Sequence, residues 1–154
     1  MISAIVAIDE NWGIGFNGEL LEKIPEDLKR FKLLTKEKVI IMGRKTWESL
    51  PNKPLPNRLN LIISNKCKIV DNLTISMGMD EIKARVKIAS KDPEDEWFVI
   101  GGGQIYKELL PFCDRVYITK VYKIHEDVDT YFPKLDDLEW KIVHESEILT
   151  FNDL

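Results

Sequence analysis

The stretch WFVIGGGQIYKELL, residues 97–110, joins an apolar run to a helical pattern through three consecutive glycines. The run 97–100 is continuously apolar, which is typical of a strand buried on both faces. Glycines after such a strand allow unusual dihedrals and close approach of a ligand to the backbone, and the following helix offers free N–H groups to an anion. The stretch lacks the GxGxxG spacing, so an ordinary Rossmann domain is not indicated.

The same alternation of strand and helix runs along the chain. Apolar, β-branched runs predict strands at 2–8, 39–42, 59–63, 73–75, 97–100, 115–121 and 139–149, and helical patterns lie at 25–35, 44–50, 79–89 and 103–110. Strands that alternate with helices indicate a mostly parallel sheet with helices on both faces. No helix separates the last two strands, so we expect an antiparallel C-terminal strand. The predicted fold is a single three-layer α/β domain over residues 1–154.

Composition and charge argue against several classes of function. A chain of 154 residues fits one domain, and a net charge of -4 argues against nucleic-acid and membrane-surface partners. The N-terminus MISAIVAIDE has no basic region before its short apolar run, so we expect a strand there and a cytoplasmic protein. Cys67 and Cys113 are then expected to be reduced thiols. His125 and His144 lack metal-ligand spacing, so no metal site is expected.

The predicted helix 25–35 carries an acid on its apolar side. A helix turns about 100° per residue, which places Asp27 about 40° from Phe31, inside the stripe formed by Ile24, Leu28, Phe31 and Leu34. Glu26 falls about 140° away and should be solvated. An acid on an apolar face tends to be paired or functional. The alternative is that Asp27 only stabilises the start of the helix.

Two further strand ends favour an anion. Arg44 and Lys45 follow Gly43 at the start of a predicted helix, where cations oppose the helix dipole unless an anion lies among them. Ser64, Asn65 and Lys66 follow the strand 59–63 and could hydrogen-bond phosphate or ribose. Ligands of open α/β sheets collect at the carboxyl ends of parallel strands. Together with the glycine segment, these ends predict a dinucleotide beside an acid, which suggests hydride chemistry.

The ordered set of segments resembles the dihydrofolate reductase family. The segments are IPEDLKRFK, VIIMGRKTWESL, PLPNRLNLIIS, VIGGGQIY, DRVYITKV and DVDTYFP, and the resemblance runs from residue 1 to about Trp140. It implies NADPH-dependent reduction of 7,8-dihydrofolate to tetrahydrofolate, in one-carbon metabolism. Asp27 matches the acid that orients the pterin and promotes protonation of N5, and Thr119 matches the hydroxyl that supports this acid. Arg58 matches the arginine that binds the substrate's glutamate carboxylate.

The resemblance also implies the remaining binding residues. The apolar walls around pterin and nicotinamide match Ile5, Ala7, Leu28, Phe31, Ile100 and Tyr106. The cofactor's phosphate and ribose contacts match Gly43, Arg44, Lys45, Thr46, Ser64 and Asn65. The pyrophosphate segment matches Gly101, Gly102, Gly103, Gln104 and Ile105, and the mobile loop over the nicotinamide matches Ile14, Gly15 and Asn17.

The sequence departs from the family pattern in three places. Glu22 stands where the family usually has a tryptophan, which we expect to weaken folate binding or to raise the pKa of Asp27 by like-charge repulsion. Asn57 replaces a turn glycine, a mild change because Asn tolerates left-handed backbone. The sequence stops at LTFNDL, short of the family's usual last strand, so the sheet edge is either abbreviated or completed by another segment or chain.

Two other functions remain open from the sequence. One is a same-fold reductase of a ribosylamino-pyrimidine in riboflavin synthesis, and the other is a non-catalytic nucleotide- or folate-binding protein. Asp27 and Arg58 argue against the first. Glu22 and the short C-terminus leave the second open. We expect a monomer whose partner is a small-molecule substrate.

Overall fold

The computed structural model describes residues 1–65 and 68–150, and contains four helices and ten strands in that part of the chain. The helices are α1 Pro25–Thr35, α2 Arg44–Ser49, α3 Met79–Ala89 and α4 Gly103–Leu109, with a 3₁₀ turn at Leu110–Phe112. The strands are β1 Ile2–Ile8, β2 Gly13–Phe16, β3 Glu19–Leu20, β4 Val39–Gly43, β5 Leu59–Ile63, β6 Lys68–Asp71, β7 Thr74–Met77, β8 Trp97–Gly101, β9 Arg115–Lys120 and β10 Thr130–Tyr131. Among the described residues, no helix has the length and apolar character needed to cross a membrane.

The main sheet has seven strands in the order β6-β7-β5-β4-β8-β1-β9. All of its pairings are parallel except the one between β6 and β7. Helices α1 to α4 connect its strands, as parallel neighbours require a crossover. The predicted α/β class with a mostly parallel sheet is confirmed.

Alternation along the central strands divides the core into two layers. In β4, Ile41 packs with Val86 of α3 and Leu109 of α4 in one cluster. Its neighbours Ile40 and Met42 point to the opposite face, where Phe31 of α1 packs against the second cluster. Successive side chains of a strand point to opposite faces, so a continuously apolar strand is buried by helices on both sides.

A second, three-stranded sheet in the order β10-β2-β3 was not predicted. Its strands have two to four residues, too short for a periodic sequence pattern to indicate them. The sheet joins residues 13–20 to residues 130–131 next to the end of β1.

The predicted strand 139–149 is wrong. Residues 140–150 carry no regular structure, and the side chains of Ile142 and Val143 are 80% and 90% exposed. A strand needs a partner for its backbone groups, and β9, the edge strand nearest in sequence, pairs within the described residues only with β1. The antiparallel pairing lies instead at the opposite edge of the sheet, between β6 and β7. The final residues, 151–154, lie outside the described part.

Cys113 is a free thiol that burial shields from solvent. Burial raises the pKa of this thiol to about 12, and the neighbouring Asp114 adds to the effect. The thiol is therefore protonated and unreactive at neutral pH. Cys67, the other predicted thiol, lies outside the described residues.

Matched isoleucine truncations test this placement of the core. Ile40→Ala removes a fully buried side chain and should lower the free energy of unfolding by about 2–5 kcal/mol. The same change at the exposed Ile142 should stay within about 0.5 kcal/mol. Urea denaturation of both variants measures the difference, and a comparable loss at Ile142 would show that the C-terminal segment is packed.

Candidate functional site

The parallel strands of the main sheet run in one direction, so their carboxyl ends lie along the same side of the sheet. We call this row of strand ends the carboxyl edge. In the ladder, Ile8 of β1 pairs with Lys120 of β9, and Gly43 of β4 pairs with Ile63 of β5. Gly101 of β8 lies beside the end of β4. Most of the residues predicted to bind ligand lie on these strand ends or on the segments that follow them, so the topology gathers them along one edge.

Asp27 lies in the first turn of α1 and is half-buried, whereas Glu26 is exposed. The hydroxyl of Thr119, on β9, donates a hydrogen bond to Oδ1 of Asp27. The Thr119 hydroxyl in turn accepts a bond of 3.3 Å from Arg30 Nη1. The carboxylate is thus held against the end of the sheet and has a second oxygen to accept further bonds.

The apolar stripe of α1 is more open than expected. Ile24 is buried and Phe31 and Leu34 are half-buried, but Leu28 is 48% exposed. Leu28 lies one residue after Asp27, about 100° further round the helix. The exposed leucine therefore forms part of an open apolar surface beside the acid and not part of the core.

Arg58 is buried, and the structure holds its guanidinium at the C-terminal end of α1. Nε donates to the hydroxyl of Thr35 at 2.9 Å, and the two terminal nitrogens donate to the carbonyls of Pro56 and Lys32. Burial lowers the pKa of the guanidinium, which still leaves it charged at neutral pH. The group is fixed in one orientation by these three bonds.

The three glycines shape the junction between β8 and α4. Gly101 has a φ of +128°, in the region that favours glycine. Behind the junction, the buried hydroxyl of Tyr106 lies 2.7 Å and 2.8 Å from the carbonyls of Ile5 and Ile100, and burial raises its pKa. Tyr106 therefore ties α4 to the backbones of β1 and β8 through these two carbonyls.

Cationic and hydroxyl side chains lie beside this junction. Arg44 and Lys45, at the start of α2, are exposed, and Arg44 Nε pairs with Glu48 at 2.9 Å. A Cβ on Gly102 would lie 3.5 Å from the hydroxyl oxygen of Thr46, so α2 and α4 begin next to each other. Ser64 and Asn65 follow β5 at the same edge. Lys66 lies outside the described residues.

The small sheet covers the end of β1. Ile14 is buried, Gly15 pairs with both Thr130 and Leu20, and the backbone N–H of Asn17 donates to Asp129 at 2.9 Å. This bond lowers the pKa of Asp129. The segment predicted to be a mobile loop is thus tied to the chain near β10.

A sequence model of the dihydrofolate reductase family matches residues 1–151. The chain belongs to the dihydrofolate reductase family. The resemblance seen in the sequence is confirmed.

Relatives agree with this assignment. The dihydrofolate reductase of Bacillus subtilis is 41% identical over 150 residues, which cover 93% of this chain and 82% of the relative. The bifunctional dihydrofolate reductase-thymidylate synthase of Daucus carota is 40% identical over 151 residues, which cover 86% of this chain and 28% of that protein. The dihydrofolate reductase of Enterococcus faecalis, solved in complex with NADP(H) and RAB-propyl, superimposes with a TM-score of 0.82 at 32% identity, covering 99% of this chain and 88% of that one.

This member of the dihydrofolate reductase family also has a polar cluster that the sequence did not reveal. His125 lies between Asp9 and Glu22, and Lys123 Nζ lies 3.0 Å from Glu22. Hydrogen bonds from His125 and Lys123 lower the pKa of Glu22. The contacts join residues more than 100 positions apart, and no local pattern signals them. Glu22, which stands in place of the family's tryptophan, is therefore paired with Lys123 and His125.

Two helix-capping glycines give a matched test of the carboxyl edge. Gly43 and Gly78 precede helices with nearly the same backbone, φ −77° and −71°. A Cβ at Gly43 would lie 2.9 Å from Cγ1 of Ile105, whereas a Cβ at Gly78 would meet nothing closer than 3.7 Å. Gly43→Ala should therefore cost about 1–3 kcal/mol by overpacking and weaken NADPH binding, and Gly78→Ala should do neither.

Thermal denaturation and fluorescence titration with NADPH measure both effects. Adding Ile105→Ala to Gly43→Ala should relieve the overpacking because alanine lacks the Cγ1 atom of the contact, whereas Ile105→Val keeps a carbon at that position and should not. Equal behaviour of the two alanine variants would contradict the close packing of α4 on β4.

Proposed function

We propose that this chain catalyses the reduction of 7,8-dihydrofolate to 5,6,7,8-tetrahydrofolate with NADPH. The observation that carries the proposal is the Asp27 carboxylate, which Thr119 holds at the carboxyl edge. It lies on the same edge as the glycine junction and the two exposed cations of α2. Family membership and the complex of the Enterococcus faecalis protein with NADP(H) support the choice of reaction and cofactor.

The donors around the glycine junction fit a dinucleotide phosphate. Arg44 and Lys45 supply positive charge, Thr46 supplies a hydroxyl, and Gly102, beside Thr46, has no side chain to cover its backbone. Such donors suit a pyrophosphate and the additional phosphate of NADPH. We assign the phosphate and ribose contacts to Gly43, Arg44, Lys45, Thr46, Ser64, Asn65, Gly101, Gly102, Gly103, Gln104 and Ile105. When bound, NADPH supplies the hydride.

Asp27 binds and orients the pterin in this proposal. An ionised carboxylate only accepts hydrogen bonds, so its free oxygen pairs with the amino and ring N–H groups of the substrate. The same negative charge favours protonation at the nearby ring nitrogen N5, with water as the carrier. The surrounding apolar residues keep the reacting rings in contact, since catalysis of hydride transfer depends largely on position. These residues are Ile5, Ala7, Ile14, Leu28, Phe31 and Ile100.

Arg58 binds the α-carboxylate of the substrate's glutamate in this proposal. Its guanidinium is fixed by Thr35, Pro56 and Lys32 before the substrate arrives. A fixed guanidinium can meet a carboxylate with two parallel bonds, which an ammonium group cannot do. The family match, together with the presence of both Asp27 and Arg58, argues against the ribosylamino-pyrimidine reductase.

We further propose that the chain works as a cytoplasmic monomer with dihydrofolate as its small-molecule partner. The half-buried thiol of Cys113 is free and not disulfide-bonded, which suits a reducing compartment. Sedimentation of the purified protein, with and without NADPH, tests the oligomeric state.

A pair of neighbouring acid-to-amide changes tests the reaction and the acid together. Asp27→Asn should lower turnover of dihydrofolate at pH 7 by at least about 100-fold, because the amide cannot pair with the pterin as the carboxylate does. The loss should deepen as pH rises, since protonation of free substrate then becomes limiting. Glu26→Gln, on the exposed face, should stay within about twofold of the native rate.

NADPH oxidation at 340 nm, followed from pH 5 to 9, measures all three proteins. If the native protein binds NADPH but does not oxidise it in the presence of dihydrofolate, the proposed reaction is contradicted. That result would favour the alternative function, a non-catalytic binding protein.

A further inference from the structure

The side chain of His125 bridges two carboxylates that come from distant parts of the chain. Its Nδ1 lies 3.1 Å from Oδ2 of Asp9, and its Nε2 lies 3.0 Å from Oε1 of Glu22. Asp9 follows β1, and Glu22 lies in the segment between β3 and α1. The backbone N–H of His125 also donates to Asp9 at 3.2 Å. We call this group of Asp9, Glu22, Lys123 and His125 the His125 bridge.

Asp9 is the fixed end of the bridge. It is 2% exposed and accepts bonds from the backbone N–H groups of Asn11 and Gly13. Burial alone would raise the pKa of Asp9, but the backbone bonds from Gly13, His125 and Asn11 outweigh burial and lower it. The carboxylate is therefore ionised at neutral pH and anchored to the end of β1.

Both ring nitrogens of His125 face a carboxylate. The carboxylates of Asp9 and Glu22 are ionised at neutral pH and accept only, since the pKa of each is lowered. His125 is therefore the group that joins the two carboxylates, at 3.1 and 3.0 Å.

Lys123 makes a second contact with the Glu22 end of the bridge. Its Nζ lies 3.0 Å from Oε1 of Glu22, the atom that His125 also contacts. The adjoining groove is lined by further acids, namely Glu19, Glu126 and Asp127.

The bridge lies at the wall of the proposed active site. One pocket is lined by Ala7 and Ile14, which we assign to the nicotinamide and pterin, and also by Leu20, Glu22 and His125. Leu21 lines the same pocket. The contact between His125 and Glu22 therefore joins residues 20–22 to the end of β1 at this pocket.

We propose that His125 is a positioning residue that fastens residues 20–22 to Asp9 and so holds the pocket wall in place for NADPH and dihydrofolate. The inference rests on the proposed function for its ligands but not for the bridge itself. Without the imidazole, the wall is released from the end of β1.

Four variants separate this role from a merely structural one. His125→Phe keeps a ring and removes both ring nitrogens. Glu22→Gln keeps a side chain of the same length that can hydrogen-bond Nε2, so the bridge should persist, whereas Glu22→Ala removes that end of the bridge. His144→Phe is the control, because His144 is the other histidine of the chain and is exposed.

Amide hydrogen exchange of residues 13–20, without ligand and corrected for intrinsic rates, measures how often this segment opens and so whether the bridge holds it. We expect protection to fall several-fold in His125→Phe and in Glu22→Ala, and to stay close to the native value in Glu22→Gln and His144→Phe. Native-like protection in His125→Phe or in Glu22→Ala would overturn the proposal. If His125→Phe does not fold, Glu22→Ala decides.

Steady-state kinetics supplies the second readout. His125→Phe should raise the KM for NADPH by about tenfold at pH 6 while kcat changes by less than about twofold, because the variant loses positioning and not chemistry. An unchanged KM, or a loss confined to kcat, would count against the positioning role. Failure of the native protein to turn over dihydrofolate would instead refute the proposed function, and the exchange data would still decide the bridge.

Discussion

The hydrogen bond from Thr119 to Asp27 is the contact on which the proposed site depends. It joins the first turn of α1 to β9, and within the described residues β9 is held in the main sheet only by β1. In that pairing Thr119 lies opposite Ala7. The acid is therefore positioned by the register of β1 and β9, next to a residue that we assign to the nicotinamide and pterin. A slip of one residue would turn the hydroxyl to the other face of the sheet.

The cofactor half of the site depends on the same sheet. The pairing of β4 with β8 shifts its register between Ile41 and Met42, at the point where Gly101 takes its positive φ. Next to this irregularity, the start of α4 lies close to Gly43 and the start of α2. The acid and the phosphate-binding segment thus lie on one edge because the strands between them are parallel and end together.

The elements whose structure follows from one continuous stretch of sequence were predicted correctly. The bounds of α1 and the burial difference between Asp27 and Glu26 follow from helical periodicity alone, and the buried strands follow from continuous apolar runs. The prediction of a strand at 139–149 was wrong because the pattern alone is that of a strand, whereas a strand also needs a pairing partner. Sequence periodicity does not report that partner. The His125 bridge was not predicted for a related reason, because its residues meet only after the chain has folded.

The support of Asp27 by Thr119 is tested most directly by comparing Thr119→Val with Thr119→Ser. Serine keeps the donor and valine keeps the shape, so the pair isolates the hydrogen bond. The structure predicts that valine lowers kcat/KM for dihydrofolate by about tenfold while serine stays within about threefold of the native value. Equal activity of the two variants would contradict the claim that this bond positions the acid.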